Sequence, residues 1–445
     1  MNEASNPATQ GRHVAITVTA LTRVTTLGIT SITYLLISRI LGPAGFGTFT
    51  VLVTIATVAT QVGHLSLQLS QTYLWINPSL RRSLAANSEV ISFLAGSLGG
   101  AAAWALVYVL GHRIVPVPGL WILAAAASTV PFTVVVMNLG NIVILDDHIK
   151  RVNAAYALGA VCQVGAVIVL ALLGHLTVAS AVWTWVASEV VPALVLVHAL
   201  PVSLRDISVP LAKRTVALGL RYHVGVAFLF LLLRADILIL NAIVQASQVG
   251  RYALAVAIAE VTYLSADAVA QVMLPRQTDA TMEASAQLTV RLVRLNAVVG
   301  ALSAAAIVLA TIVVVPVVFG HKYAGVLLPL AVLMPGVIAL ATIRASNGYL
   351  VRLNQPFVFA ATAIGAMVLN VGLNFALIPG LGIVGSALAS SVAYSALAVC
   401  YVAWISAAAH IRLREFVPRR GDFMSVGVRR RGGGRPGRKS EHIGP

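Results

Sequence analysis

Apolar residues run along this chain in long blocks, broken by short polar stretches. Twelve blocks fall near 14–39, 48–74, 87–111, 118–142, 152–174, 178–201, 215–243, 251–275, 292–319, 324–351, 356–379 and 383–409. A bilayer core takes about 20 residues of helix, so each block is long enough to cross one. The pattern predicts an all-α polytopic membrane protein with twelve transmembrane helices. The first block follows a polar start with Arg12 and lacks the short apolar core and cleavage site of a signal peptide, so it is kept as a helix. Cys162 and Cys400 lie inside blocks and read as small apolar residues.

The blocks repeat. A shift of about 203 residues places Gly47, Val53, Ile55, Ala56 and Val58 on Gly250, Val256, Ile258, Ala259 and Val261, with Phe49 on Tyr252. A shift of about 206 places Gly174, Val178, Ser180 and Ala181 on Gly380, Val384, Ser386 and Ala387. In a membrane chain, such duplication points to a transporter whose site lies between the halves. The expected division is 1–13 as a cytoplasmic start, 14–201 and 215–410 as two six-helix bundles, 202–214 as a cytoplasmic linker, and 411–445 as a basic, disordered tail. Six crossings per half make the repeat parallel, about an axis near the membrane normal.

Composition supports the membrane reading. The chain is 59% hydrophobic and 10% charged, with a mean hydropathy of +0.91, too little polar surface for a soluble domain. Charge sets the orientation. With the N-terminus inside, inside segments hold twelve Lys and Arg, among them Arg81, Arg82, Lys150, Arg151, Lys213 and Arg214, before the tail is counted. Outside ends hold four: Arg39, Arg113, Arg251 and Lys322. This asymmetry follows the positive-inside rule and predicts a plasma- or inner-membrane protein with both termini cytoplasmic. The net charge of +16 therefore needs no nucleic acid as partner. From Val428 to Pro445 the tail is Gly- and Arg-rich without apolar periodicity, suited either to anionic lipid heads or to a solvated anchor.

Ionisable residues inside blocks each call for an explanation, because a charge at mid-bilayer costs about 2.5–3.5 kcal/mol on insertion scales. They are Arg23, Glu189, Arg221, Arg234, Asp236, Glu260, Asp267 and Arg344. Helical geometry puts Arg234 and Asp236 on opposite sides of span seven, and Glu260 and Asp267 on one face of span eight. Arg234 and Glu260 stand equally far from the turn near residue 247 on antiparallel neighbours, so they can form an ion pair. That pair either locks the hairpin or exchanges an ion or proton. Arg23 has no acid at its depth in the first five spans, so it should face a wet cavity, an anionic ligand or a later acid. Arg221 and Arg344 lie close enough to a cytoplasmic end to snorkel. A cationic lining suits a phosphate-bearing cargo, because the guanidinium fork matches phosphate oxygens.

Other chemistry has little support. The sequence carries no P-loop, and Gly96-Ser-Leu-Gly-Gly sits in an apolar block rather than after a strand. The ten His residues form no metal-ligand set with Cys or acids. Asp146 and Asp147 fall in an inside loop, and the longest inside loops are too short to house a membrane glycosyltransferase site. The protein is expected not to be an enzyme.

Three stretches carry a resemblance. Arg39-Ile-Leu-Gly-Pro-Ala-Gly-Phe-Gly47 is similar to the turn after helix one of the polysaccharide flippases, a family of the multidrug/oligosaccharidyl-lipid/polysaccharide (MOP) exporter superfamily. Asp236, Val249-Gly-Arg-Tyr-Ala-Leu-Ala255 and Pro275 resemble that family's helix-seven acid, next turn and helix-eight proline. Asn370-Val-Gly-Leu-Asn374, Leu377-Ile-Pro379 and Gly382-Ile-Val-Gly-Ser-Ala-Leu-Ala389 resemble its ending. The resemblance spans about residues 12–410. It implies two bundles facing each other as a V, a central cationic cavity, alternating access, and a polyprenyl-diphosphate-linked oligosaccharide as cargo. Arg23 matches the cavity arginine of helix one; Arg221, Arg234 and Arg344 match more loosely. The basic tail is longer than the family's core pattern needs.

The expected function is flipping of lipid-linked oligosaccharide from inner to outer leaflet for surface polysaccharide export. Arg23, Arg221, Arg344 and Arg234 would bind substrate. Asp236, Glu260 and Asp267 would couple a cation, Na+ or H+, or form structural ion pairs; no other cofactor and no metal is expected. Partners would be lipid-linked oligosaccharide, membrane lipids, and a polysaccharide polymerase and glycosyltransferases. The alternatives are a drug/cation antiporter of the same superfamily, a peptidoglycan lipid-precursor flippase, and a non-transporting scaffold of a glycan-assembly complex.

Overall fold

The computed structural model describes residues 7–111, 116–200, 202–279, 281–344 and 346–419. The side chains of Arg12, Arg23 and Arg276, the residues His112, Arg113 and Pro201, and the tail from Arg420 to Pro445 lie outside the described residues. The described chain is helical throughout, without strands. Its helices are α1 (Pro7–Gly63), α2 (Leu67–Leu74), α3 (Arg81–Leu110), α4 (Leu120–Ala127), α5 (Thr129–Leu145), α6 (Ile149–Leu172) and α7 (Val178–Ala199). They continue as α8 (Val209–Leu232), α9 (Ala235–Ile243), α10 (Ala246–Asp279), α11 (Met282–Val314), α12 (Leu327–Arg344), α13 (Asn347–Arg352) and α14 (Pro356–Ala409).

Two of these helices fold back on themselves. A straight helix of 54 residues would be about 80 Å long, far more than a bilayer's hydrocarbon core. In α14 Asn374 Nδ2 and Ser386 Oγ belong to one buried hydrogen-bonded group, with Ser386 donating to Asn374 Oδ1 at 2.7 Å, although twelve residues separate them. The reversal is at Gly382, at φ 57° and ψ −135°. In α1 it is at Gly42, at φ 67°, a region open to glycine but strained for other residues, and Pro43 next to it removes a backbone donor. The Tyr34 and Phe49 rings, on either side of that turn, meet at 6.0 Å. Both reversals fall in gaps between the apolar blocks.

Helix starts follow local chemistry. Thr177 caps α7 by a reciprocal bond with Ser180, and Thr281 Oγ1 accepts from Ala284 N at the start of α11. Pro210 stands in the first turn of α8, where its missing N–H is harmless. α8 begins at Val209, within the expected linker 202–214, and α1 begins at Pro7, ahead of the block near 14. Gly96 is no nucleotide motif: it lies in α3, and a Cβ there would stand 2.6 Å from Pro131 Cα of α5, the close approach that small residues allow in lipid.

Nine described segments are long and apolar enough to cross a membrane. Two of them, Gly28–Leu74 and Pro356–Ala409, contain the reversals. The 34-residue α10 adds a further long helix beside them. The protein is thus a multi-pass membrane protein.

The part before residue 200 and the part after 208 meet at both ends of the bundle. At the end bearing the basic loops, Asn87 Nδ2 donates to Ser208 O at 2.9 Å and accepts at Oδ1 from Ser208 N at 3.0 Å. Ser66 Oγ lies 3.1 Å from His223 Nδ1 there. At the opposite end, Tyr323 OH donates to Ser38 O at 2.9 Å, and Gly47 and Gly250 pack backbone to backbone.

Candidate substrate cavity and intramembrane charges

Between those two seals lies a cavity of about 590 Å³. Both arms of α1 line it, with Ser31, Tyr34, Thr50, Thr54 and Thr57, against Arg234, Ile237 and Glu260 from α9, α10 and the residue before α9. One wall is hydroxylic and the other holds a guanidinium and a carboxylate. Arg234 Nη1 donates to Glu260 Oε1 at 2.8 Å, and the side chains stay 28% and 37% exposed, so an entering ligand can reach both. A guanidinium has five N–H donors, more than one carboxylate oxygen occupies. The pair stands where counting from the turn near residue 247 places it.

Arg234 owes its position to a break that the sequence did not announce. α8 ends at Leu232, Arg234 caps α9 at φ −133°, and the helix resumes at Ala235. The expectation of one continuous helix over 215–243 is corrected here. Arg234 and Asp236 do take different partners, but because the helix is interrupted and not because a wheel separates them.

Asp236 is buried in the first turn of α9, the favourable place for a carboxylate. It accepts from Ile237 N at 2.8 Å, from Tyr252 OH at 2.6 Å and from Ser390 Oγ at 3.1 Å. Ser390 in turn accepts from Asn370 Nδ2 at 3.2 Å, and Asn374 Nδ2 donates to Asn370 Oδ1 at 3.0 Å. A connected polar network thus runs from α9 through both arms of α14.

Asp267, two turns along α10 from Glu260, holds Arg344 of α12. Arg344 Nη1 lies 2.7 Å from Oδ1 and 2.8 Å from Oδ2, and its guanidinium carbon stands 4.3 Å from the Tyr263 ring centroid. Glu260, Tyr263 and Asp267 share one face of α10, so that face carries two ion pairs about 10 Å apart. Arg344 is thus tied to an acid and does not line the cavity. Arg221 is exposed on α8, also away from the cavity lining, and no ion pair holds it among the described residues. Arg23 belongs to the first arm of α1, with its side chain outside the described residues. In the first half, Glu189 accepts from Thr133 Oγ1 at 3.2 Å. Among the described residues no group of three or more His, Cys, Asp or Glu is placed to hold a metal ion.

Helices folded back at Gly42 and Gly382, a break between α8 and α9, and a cavity holding an ion pair among hydroxyl and apolar groups define a polytopic helical bundle. Solved structures place it more closely, and the chain has the fold of the MOP superfamily transporters. It is similar to the lipid II flippase MurJ in an inward closed conformation, with a TM-score of 0.65 and 10% identity over 90% of this chain and 89% of that one. It is also similar to an inward-facing multidrug resistance MATE family transporter of the MOP superfamily, with a TM-score of 0.63 and 15% identity over 88% and 95%. A third similar structure is a MOP superfamily transporter from Pyrococcus furiosus Vc1 with a binding pocket of reversed polarity, at a TM-score of 0.56 and 13% identity over 90% and 96%. No protein-family model and no curated protein matches the sequence.

Proposed function

We propose that the protein is a flippase that moves polyprenyl-diphosphate-linked oligosaccharide from the inner to the outer leaflet by alternating access, for surface polysaccharide export. One observation carries this reading: a cavity within the membrane-spanning bundle has a reachable arginine on one wall and hydroxyl groups on the other. A diphosphate would compete with Glu260 for Arg234, and sugar hydroxyls would meet Ser31, Tyr34, Thr50, Thr54 and Thr57. Arg23 would add a second cation. The lipid tail would stay in the bilayer. The similarity to a lipid II flippase supports the same cargo class.

In this reading the chain crosses the plasma membrane twelve times as two six-helix halves. The basic end, with both termini, faces the cytoplasm. Asp236 and its network, with Glu260 and Asp267, would couple Na+ or H+ movement to the rocking of the halves. A polymerase and glycosyltransferases would work on either side of the transport step.

The test is transbilayer movement of fluorescent polyprenyl-diphosphate-linked oligosaccharide in proteoliposomes. Wild-type protein should move it, Arg234→Gln should lose most of the rate, and Glu260→Gln should keep binding. Wild-type protein that moves no lipid-linked sugar sinks the proposal. The acid in the cavity and the similarity to MATE transporters favour a second reading, a drug/cation antiporter. Efflux of a cationic dye without lipid movement would decide for it.

A further inference from the structure

A groove of about 330 Å³ lies on the first half, between α3, α5 and α7. Glu89, Phe93 and Leu94 of α3 form one wall and Leu194 of α7 the other; Phe132 and Val135 of α5 form the floor. α3 and α7 both pack on α5, and the Phe93 and Phe132 rings meet edge to face at 6.3 Å. Phe93, Leu94 and Leu194 are 48%, 57% and 52% exposed, so the groove opens sideways, where membrane-spanning helices meet acyl chains. Among its described lining residues Glu89 is the one charge, and the rest are apolar. None of them lines the cavity of Arg234.

Glu189, Asp236, Glu260 and Asp267 each accept a hydrogen bond from a neighbouring side chain. Glu89 is half-buried and takes part in no hydrogen bond or ion pair among the described residues. Arg82, two turns before it, is held by Asp206. A carboxylate without a cation is costly in a membrane-spanning helix. α3 has 30 residues and is about 45 Å long, enough to cross headgroups as well as hydrocarbon. Glu89 stands about 12 Å along it from Arg81, at the basic end. Its Cα–Cβ bond leans toward the start of the helix, so the carboxylate reaches back toward headgroup depth. The apolar walls at Phe93 and Leu94 continue one turn deeper.

The groove thus offers one anionic group near the headgroups and an apolar channel beneath it. A primary ammonium brings charge and up to three N–H donors to a carboxylate. A trimethylammonium group brings the charge and no donor, and an anionic headgroup is repelled. We propose that this groove binds a phospholipid with a primary-ammonium headgroup, its ammonium on Glu89 and one acyl chain along Phe93, Leu94 and Leu194. Its walls belong to the first half alone and lie apart from the cavity of Arg234, so the lipid held there is resident and not cargo.

The test uses full-length protein in nanodiscs holding equal amounts of dioleoyl phosphatidylethanolamine and dioleoyl phosphatidylcholine. Native mass spectrometry reads the lipid that stays bound. Wild-type protein should retain the ethanolamine lipid about tenfold over the choline lipid, the worth of a hydrogen bond to a charged group. Stepwise N-methylation of the ethanolamine lipid should lower retention with each N–H lost, a series that needs no variant. Glu89→Gln should bring the two lipids level at an unchanged melting temperature, and Glu89→Asp should keep most of the preference. Excess free ethanolamine should leave the lipid in place. Equal wild-type retention of the two lipids overturns the site, and so does a preference that Glu89→Gln keeps. Displacement by free ethanolamine overturns it too, because the apolar walls then add nothing. A second copy of the chain retained in place of lipid overturns it as well.

Discussion

A methyl group at position 250 would be driven into the backbone of the facing half. In Gly250→Ala the new Cβ would lie 1.9 Å from Pro43 O and 2.9 Å from Gly47 N. Comfortable contacts begin near 3.5 Å, so α1 and α10 would have to part by roughly 1–2 Å at that end. Overpacking of this kind costs about 1–3 kcal/mol. The penalty falls only on conformers in which the two helices touch. Under alternating access, a conformer open at that end escapes it, and about 2 kcal/mol of difference shifts the ratio of the two roughly 30-fold. The assay is reaction of a single cysteine at position 57, on the cavity wall, with a membrane-impermeant maleimide added from outside. The background would carry Cys162→Ser and Cys400→Ser. Labelling should speed up by at least tenfold in Gly250→Ala. Gly47→Ala should do the same, since its Cβ would stand 2.1 Å from Ala246 O. Gly28→Ala, with nothing within 4 Å of the new Cβ, should behave as wild type. Unchanged labelling and unchanged melting temperature in both clashing variants would refute the contact and the reasoning built on it.

Three further outcomes can be checked. Asp236→Asn leaves one acceptor oxygen where a carboxylate took three hydrogen bonds, so at least one buried donor loses its partner. A loss of about 1–3 kcal/mol is expected, read as a lower melting temperature in detergent, and an unshifted transition would contradict it. Arg344→Met strands Asp267 within the bundle, so adding Asp267→Leu should restore part of the lost stability; a double variant worse than the single would show the pair is not coupled. The half-buried Asp206 is held below the usual carboxylate range by the Ser203 amide, and next by Arg82 Nε at 2.9 Å. A depressed carboxylate stabilises above its unfolded range and loses that contribution as pH falls through its folded one. The linker 202–208 should therefore resist proteolysis at neutral pH and be cut faster in acid, an increase that Asp206→Asn should abolish.

Local order was readable in the sequence and distant order was not. The helical passes follow from block lengths, α10 with the block 251–275 among them. Arg234 and Glu260 could be paired because a hairpin fixes the depth of both partners relative to one turn. Arg344 and Asp267 are 77 residues apart on helices with no shared turn, so no counting rule joins them. The break at Leu233–Arg234 carries neither Gly nor Pro, the usual signs of interruption. The partners of Asp236 come from Tyr252 and from Ser390, 154 residues away, which only packing brings together. The hydroxyl wall was missed for another reason: single Ser and Thr residues in an apolar block satisfy themselves on their own backbone, as Thr50 does on Phe46 O, and give no pattern.

The internal repeat acquires a spatial meaning here. Gly47 and Gly250 are equivalents under the 203-residue shift, and they touch each other. A residue that meets its own equivalent stands on the axis relating the halves. The cavity of Arg234 straddles the same axis, because its walls are equivalents too. Shifted by 203, Ser31, Tyr34, Thr50, Val53, Thr54 and Thr57 become Arg234, Ile237, Ala253, Val256, Ala257 and Glu260, and all twelve line it. Duplication thus supplied two matching walls, and divergence gave them different chemistry. The earlier wall carries hydroxyls; the later one carries an ion pair and no hydroxyl among its described lining residues. A cargo with the same chemistry on both sides has no use for that difference. In the proposed reading, a cargo with an anionic joint and a hydroxylated body would use both walls at once, and the ion pair on one wall would set which way round it sits.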